Sequence, residues 1–288
     1  MKLQRALESI LRCSGVSFEV IVVDQRGDDA LERGVNALAD TRVVYVRRQQ
    51  KGRNGAMNHG AKLARGDVIG FTDDDIIVSG HWLQAAHDAF TGPDRPDGVV
   101  GRILQYGEPP SPDHLAPQTA DWLDRRLLTA SGLLKGFGAN TFYRREVFKH
   151  LGGYDPRMGV GGAAGGSGDW ELLYRSVVSR FRILYSPDVI VWHDGWETRE
   201  SRSRKARQYA KARMAAHIKC WAEVGGPALR DMTSLTVRLL FEGVNHVMHR
   251  RRGSAAACFS KCGNYIAGVP LGLRLAWEQH RTINTNDR

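Results

Sequence analysis

Two short β-branched runs constrain this chain most. Val20-Ile21-Val22-Val23 ends in Asp24, and Val68-Ile69-Gly70-Phe71 leads through Thr72 into Asp73-Asp74-Asp75. Each run is short and continuously apolar, the pattern of a buried parallel strand with a functional loop after it. Between and before them the apolar spacing is helical: Leu3, Ala6, Leu7, Ile10 and Leu11 line one face, and helices are expected near residues 30–38 and 55–64. A further strand is expected at 42–47. Strands alternating with helices predict an α/β sheet. Ligands bind beyond the carboxyl ends of the strands in such sheets, where Asp24 and Asp73 to Asp75 fall.

The remainder reads less evenly. A helix is expected over 79–90 and a strand over 98–103 in an otherwise loop-rich stretch (92–118), then a short helix over 122–128. A strand over 138–143, a helix over 145–150 and a helix over 169–178 follow, with strand ends at 182–185 and 189–193. Residues 159–168 hold six glycines in ten, the composition of a mobile loop. Residues 200–240 read as helical and basic, and an apolar tail over 253–277 is broken by Pro270.

Composition excludes several classes. Of 288 residues, 42% are hydrophobic and 25% charged, so wholesale disorder is not expected. No apolar run reaches the roughly 18–20 residues of a membrane span, and Met1 to Arg5 shows no secretory signal. The four cysteines (Cys13, Cys220, Cys258, Cys262) are too few and scattered for a disulfide framework, and Cys258 and Cys262 lack the second pair of a zinc site. The net charge is +10, yet residues 199–288 carry 17 Lys and Arg against 6 acids, leaving 24 against 25 in residues 1–198. The excess therefore belongs to the last third, as a solvated helix face or as a surface for anionic partners.

Three adjacent aspartates repel one another unless a cation or solvent relieves them. Oxygen-rich clusters suit Mg²⁺ or Mn²⁺, which also bind phosphate oxygens. Placement at the positive end of a following helix would account for one aspartate, hardly for three.

Ordered blocks extend this reading. They are Glu19-Val20-Ile21-Val22-Val23-Asp24; Lys51-Gly52-Arg53-Asn54-Gly55-Ala56-Met57-Asn58-His59-Gly60; Phe71-Thr72-Asp73-Asp74-Asp75; Gly138-Ala139-Asn140; Leu151-Gly152-Gly153-Tyr154-Asp155; Gly168-Asp169-Trp170-Glu171; and Tyr185-Ser186-Pro187-Asp188 through Val191-Trp192-His193. With this set, residues 18–193 resemble the family 2 glycosyltransferases of the GT-A fold. The resemblance implies a Rossmann-like mixed sheet flanked by helices over residues 1–198, with residues 199–288 a basic, mainly helical extension. It implies that Asp24 contacts the nucleotide base, Arg53 lies near the nucleotide, Asp73 faces the ribose, and Asp74 or Asp75 holds a divalent metal (Mn²⁺ or Mg²⁺) bridging the diphosphate. His193 would complete the metal shell or touch the diphosphate, and Asp169 would be the catalytic base of an inverting transfer. Asp169 as a helix N-cap and His193 as a satisfied structural histidine remain open. Glu171 reads as a helix neighbour, and Arg175 as a structural ion-pair partner.

The implied enzyme is a hexosyltransferase-like glycosyltransferase. It would move a sugar from a nucleotide-diphospho-sugar, UDP- or dTDP-linked, to a saccharide or lipid-linked acceptor in cell-envelope polysaccharide synthesis. The expected location is cytoplasmic, peripheral at the inner face of the plasma membrane through an anionic membrane surface; no nucleic acid is expected as partner. The competing readings are a nucleotidyltransferase of similar fold and a non-catalytic basic protein binding nucleic acid or membrane. Three departures from the family stand out. Gly168 replaces the glutamate of a Glu-Asp pair, Met57 replaces an arginine, and the family's first strand would precede the first helix, so the natural start is expected upstream of Met1.

Overall fold

The computed structural model describes residues 2–116, 119–130, 133, 137–249 and 252–286. The chain opens with α1 (Lys2–Leu11), whose Ala6, Leu7 and Ile10 are buried as their spacing predicts. β1 (Val20–Asp24), α2 (Asp29–Asn36), β2 (Val43–Arg47) and α3 (Arg53–Leu63) follow. Asp28 caps α2, its side chain accepting from the Ala30 amide at 2.8 Å. β1 and β2 pair in parallel, Val20 opposite Val43 through Asp24 opposite Arg47. β1 is half-buried rather than fully enclosed, because among the described residues its only ladder partner is β2. α3 covers it, with Gly60 placed so that a Cβ would lie 3.3 Å from a Val23 methyl.

The main sheet begins with β3 (Val68–Phe71) and β4 (Ile76–Val78), the acidic triplet lying in the turn between them. After α4 (Trp82–Thr91) come β5 (Gly98–Gln105), β6 (His114–Leu115), β7 (Arg126–Leu127), β8 (Thr141–Arg144) and α5 (Arg145–His150). α6 (Gly168–Val178), β9 (Ile183–His193) and β10 (Glu197–Thr198) complete the α/β body. The sheet order is β3-β8-β5-β9-β4, with β7 also pairing β9 and only β5 and β9 parallel among these neighbours. The two expected strand ends at 182–185 and 189–193 are thus one strand. It reads as two because the β5–β9 register shifts between Gly101 and Arg102. The shift makes room for buried Asn140, which donates to the Arg102 and Val189 carbonyls and accepts from the Trp82 indole at 2.9 Å. A Cβ on Gly101 would fall 2.2 Å from the Asn140 amide nitrogen.

The expected helix over 122–128 is absent. That stretch instead enters β7, and the Trp122 ring packs on Phe137 and Tyr185. The glycine-rich stretch is also more tied down than its composition suggests. Gly159 N donates to Gly166 O, Ala164 N to Arg157 O, and Arg53 N to Val160 O.

The extension comprises α7 (Arg199–Val224), α8 (Gly226–Met248), α9 (Arg252–Ile266) and α10 (Val269–Asn286). Pro270 lies in the first turn of α10, where its missing N–H removes no helical bond, so it starts a helix rather than ending one. The first part of α7 is largely exposed, whereas Ala212 and Met214 to Cys220 are buried, Met214 and Ile218 of them against Tyr265 of α9. Of the basic Arg250-Arg251-Arg252 run, residues 250 and 251 lie outside the described residues. Among the described residues no helix is long and apolar enough to cross a membrane.

Candidate active site

The antiparallel register of β4 and β9 puts His193 opposite Ile76, one residue from Asp75. His193 Nε2 and Asp75 Oδ1 lie 3.0 Å apart although 118 residues separate them in sequence, and the Asp194 amide donates to the Asp75 carbonyl at 2.8 Å. Burial alone would lower the His193 pKa, but the bond to Asp75 and the surrounding carboxylates raise it above its ordinary value. Burial alone would raise the Asp75 pKa, and His193 draws it down instead. Asp73 joins them: one ligand atom from each of Asp73, Asp75 and His193 lies within 4.8 Å of the others. The sequence pointed Asp73 at the ribose, whereas the structure groups it with the two expected metal ligands. Asp74 is exposed and is not in this group. Two carboxylate oxygens and one imidazole nitrogen fit a hard divalent ion such as Mn²⁺ or Mg²⁺, with coordination positions left for oxygens of a ligand.

Arg53, at the start of α3, ion-pairs with Asp73 and also donates to Gly138 O at 3.3 Å. Burial works against its charge, but Asp73 and Asp169 hold its pKa above the ordinary range. Asp169, in the first turn of α6, accepts from the Gly138 amide at 3.0 Å through Oδ2. A Cβ on Gly138 would meet Asp169 Oδ2 at 3.0 Å and Arg53 Nη2 at 3.1 Å. Gly138 and Arg53 therefore couple the two carboxylates, and a side chain at Gly138 would fit only if these neighbours gave by a few tenths of an ångström. Asp169 is not the helix N-cap; that position belongs to Ser167, in the left-handed region at φ 57° and without a side-chain cap bond.

Among the described residues Asp24 shares no hydrogen bond or ion pair with these groups. Its carboxylate accepts from the Arg26 amide (2.7 Å), the Asp28 amide (2.9 Å) and the Tyr45 hydroxyl (2.7 Å), so it fixes the loop after β1. Burial and the Asp24 charge push the Tyr45 pKa up to about 12, which keeps its hydroxyl a donor.

Other contributors had no role assigned from the sequence, apart from Arg175, expected as a structural ion-pair partner. Asn54 is fully buried and donates to the Asp155 carbonyl at 2.8 Å, while its Oδ1 has no hydrogen-bond partner among the described residues. A Cβ on Gly168 would fall 2.3 Å from its Nδ2, and one on Gly159 2.5 Å from its Oδ1. The glutamate missing at position 168 is thus accounted for: Asn54 fills the space that side chain would enter. From α7, Tyr209 has its pKa raised by partial desolvation and by Asp169, and Arg213 lies over the Trp170 ring at 4.8 Å. Behind them a buried network joins α6 to α7. Lys219 contacts Glu171 (2.6 Å), Asp155 (3.3 Å) and Glu223 (3.2 Å), Arg175 pairs with Glu171 at 2.8 Å, and Arg157 pairs with Asp155 at 2.7 Å.

A mixed sheet with an acidic turn beyond its strand ends, faced by a helix-borne aspartate, defines the GT-A glycosyltransferase fold. Solved structures agree. The mannosyltransferase PcManGT from Pyrobaculum calidifontis, in complex with GDP-Man and Mn²⁺, superposes with a TM-score of 0.55 at 14% identity, covering 92% of this chain and 83% of that one. S. aureus TarS 1–349 in complex with UDP-GlcNAc superposes at 0.60 and 13% identity, covering 92% and 87%. The family model described as "Glycosyl transferase family 2" matches residues 2–152, and the chain belongs to that family. Two curated relatives match over shorter spans. "Glucosyl-dolichyl phosphate glucuronosyltransferase" of Haloferax volcanii is 25% identical over 162 residues (53% of this chain, 51% of that protein). "Succinoglycan biosynthesis protein ExoO" of Rhizobium meliloti is 41% identical over 75 residues (26% and 22%). This chain thus spans about half the length of one relative and about a fifth of the other.

Proposed function

We infer that the protein transfers a glycosyl group from a nucleotide-diphospho-sugar to an acceptor hydroxyl, in a divalent-metal-dependent reaction. The observation that carries this reading is the convergence of Asp73, Asp75 and His193 on one point in a chain of this family. Asp73, Asp75 and His193 would hold a Mn²⁺ or Mg²⁺ ion, which when bound would supply charge stabilisation to the departing diphosphate. Arg53 adds a fixed positive charge beside it. Asp169, whose Oδ1 has no hydrogen-bond partner among the described residues, takes the proton of the acceptor hydroxyl. The acceptor oxygen then bonds to the anomeric carbon as the carbon–oxygen bond to the diphosphate breaks. The nucleoside diphosphate leaves, and a single in-line displacement inverts the anomeric centre.

The family resemblance favours a UDP- or dTDP-sugar, and the similar structures are complexes with GDP-Man and with UDP-GlcNAc. A saccharide or lipid-linked acceptor in envelope polysaccharide synthesis accords with relatives named for a dolichyl phosphate and for succinoglycan. A cytoplasmic enzyme held at the inner face of the plasma membrane would meet both donor and lipid acceptor there. Calorimetric titration of UDP, dTDP and GDP with and without Mn²⁺, followed by donor screening with product masses, tests the reading. Metal-dependent binding of one nucleotide and a matching glycosylated product are expected; no nucleotide binding under any metal condition would refute it.

A further inference from the structure

We propose that α8, together with the apolar groove it shares with α7, α9 and α10, is a docking surface for an anionic lipid bilayer. The proposal deepens the membrane-side reading above and rests on it for its place in the reaction. On α8, Val237, Leu240, Phe241, Val244, Val247 and Met248 recur at helical spacing, the arrangement that normally faces a core. Here every one of them is exposed, Phe241 at 72% and Met248 at 78%. The stripe begins beside a cleft of ≈ 420 Å³ whose rim includes Trp221, Val237, Ile266 and Leu273 and whose floor includes the buried side chains of Met214 and Ile218. One turn beyond Leu273, Trp277 is 59% exposed. Contiguous exposed apolar surface of this kind marks a contact with a partner.

Charge selects the partner. Residues 226–286 carry eight Lys and Arg against three acids. Exposed Arg238, Lys261 and Arg274 lie on the same three helices as the apolar side chains. A second copy would bring two such basic surfaces together, at a cost in repulsion, whereas an anionic bilayer satisfies both the charge and the apolar stripe. The polar, basic first half of α7, where the sequence alone suggested membrane contact, has no comparable apolar stripe. It is helical and exposed without being amphipathic.

The full chain is mixed with vesicles of phosphatidylcholine alone or with about 30% phosphatidylglycerol, and binding is read by co-sedimentation. Binding to the anionic vesicles only, weakened by added salt, is expected. The variant Phe241→Asp/Met248→Asp should bind at least tenfold more weakly, while Leu123→Asp, at an apolar residue 73% exposed on the α/β body, should bind normally. In the unaltered chain, tryptophan emission should shift to the blue on the anionic vesicles and be quenched by brominated lipid. Equal binding by the double variant, unchanged emission, or a stable dimer dissolved by the double variant would each overturn the proposal, the last in favour of a second copy. Nucleotide binding with Mn²⁺, measured on the same proteins, keeps the two readings apart. If no nucleotide binds but vesicles do, glycosyl transfer fails and the docking surface stands.

Discussion

Lys219→Met tests whether the C-terminal helices are part of the catalytic body. The ammonium is 4% exposed and contacts Glu171, Asp155 and Glu223. With Arg157 and Arg175 the group holds three positive and three negative charges. Burial opposes the charge on both Lys219 and Glu171, yet the pairing keeps the Lys219 pKa above its ordinary value and that of Glu171 below. Methionine replaces the stem with similar apolar volume but leaves one uncompensated negative charge inside. Removing one partner of a buried ion pair costs about 3–5 kcal/mol. The low end applies here, because Glu171 keeps Arg175 and Asp155 keeps Arg157. A loss of about 3 kcal/mol, at a urea slope of about 3 kcal/mol/M, moves the unfolding midpoint down by about 1 M. Adding Glu171→Gln restores neutrality, so Lys219→Met/Glu171→Gln should recover at least about 1 kcal/mol relative to the single variant. A single variant within about 0.5 kcal/mol of the unaltered protein, or a double variant less stable than both singles, would refute the reasoning.

Asp75→Ala should abolish the Mn²⁺ dependence of nucleotide binding measured by calorimetry, since it removes one of three candidate metal ligands; unchanged dependence would exclude this cluster as the metal site. Asp169→Asn should lower kcat about 10²–10⁴-fold with nucleotide affinity preserved, as loss of a general base predicts, and a change in affinity alone would assign Asp169 to donor binding. Acid should destabilise the fold. Burial and Arg213 hold His217 neutral with a pKa of about 3, so the unfolded chain binds the extra proton as pH falls from 6.5, and up to about 5 kcal/mol is lost by pH 3. Asp155 acts in the same direction at lower pH. Burial opposes its charge, but Arg157 and Lys219 bring its pKa to about 2, so its contribution is complete above 3.8 and fades toward 2. Urea midpoints between pH 3 and 7 check both groups, and a flat profile contradicts them.

Local periodicity suffices to place α1, α2, α3, α5 and α6, because each buries one stripe and ends at a recognisable break. It fails where tertiary pairing decides. β4 is three residues long and exists because β9 offers it a ladder, and β7 forms in a stretch with helical spacing because β9 has a free flank there. The site divides in the same way. Asp73 and Asp75 stand out as carboxylates ending an apolar run, and the family blocks point to His193 and Asp169. That His193 reaches Asp75 is a property of the β4–β9 register, which no nearby residue announces. Lys219 was equally hidden. A lysine in a basic helix reads as solvated, and only the packing of α7 on α6 reveals it as the partner of Glu171.

Gly168 shows how a departure from a family pattern can reflect repacking rather than lost function. Judged by sequence alone, its missing carboxylate subtracts one group from the site. In the fold, Asn54 occupies that position from α3, held by the Asp155 carbonyl, and its second polar atom is left without a partner. A buried carbonyl oxygen with no donor is costly, on the order of 1–3 kcal/mol, and such a cost is tolerated where a ligand or solvent supplies the missing bond. Gly168→Ala must push a Cβ into this amide, which neither Gly159 nor the Asp155 carbonyl leaves room to move. A destabilisation of about 1–3 kcal/mol by urea titration is expected. Asn54→Ala/Gly168→Ala should be more stable than Gly168→Ala, because the smaller residue vacates the space. If the pair instead behaves additively, Asn54 and Gly168 do not compete for one volume, and the glutamate's absence needs another explanation.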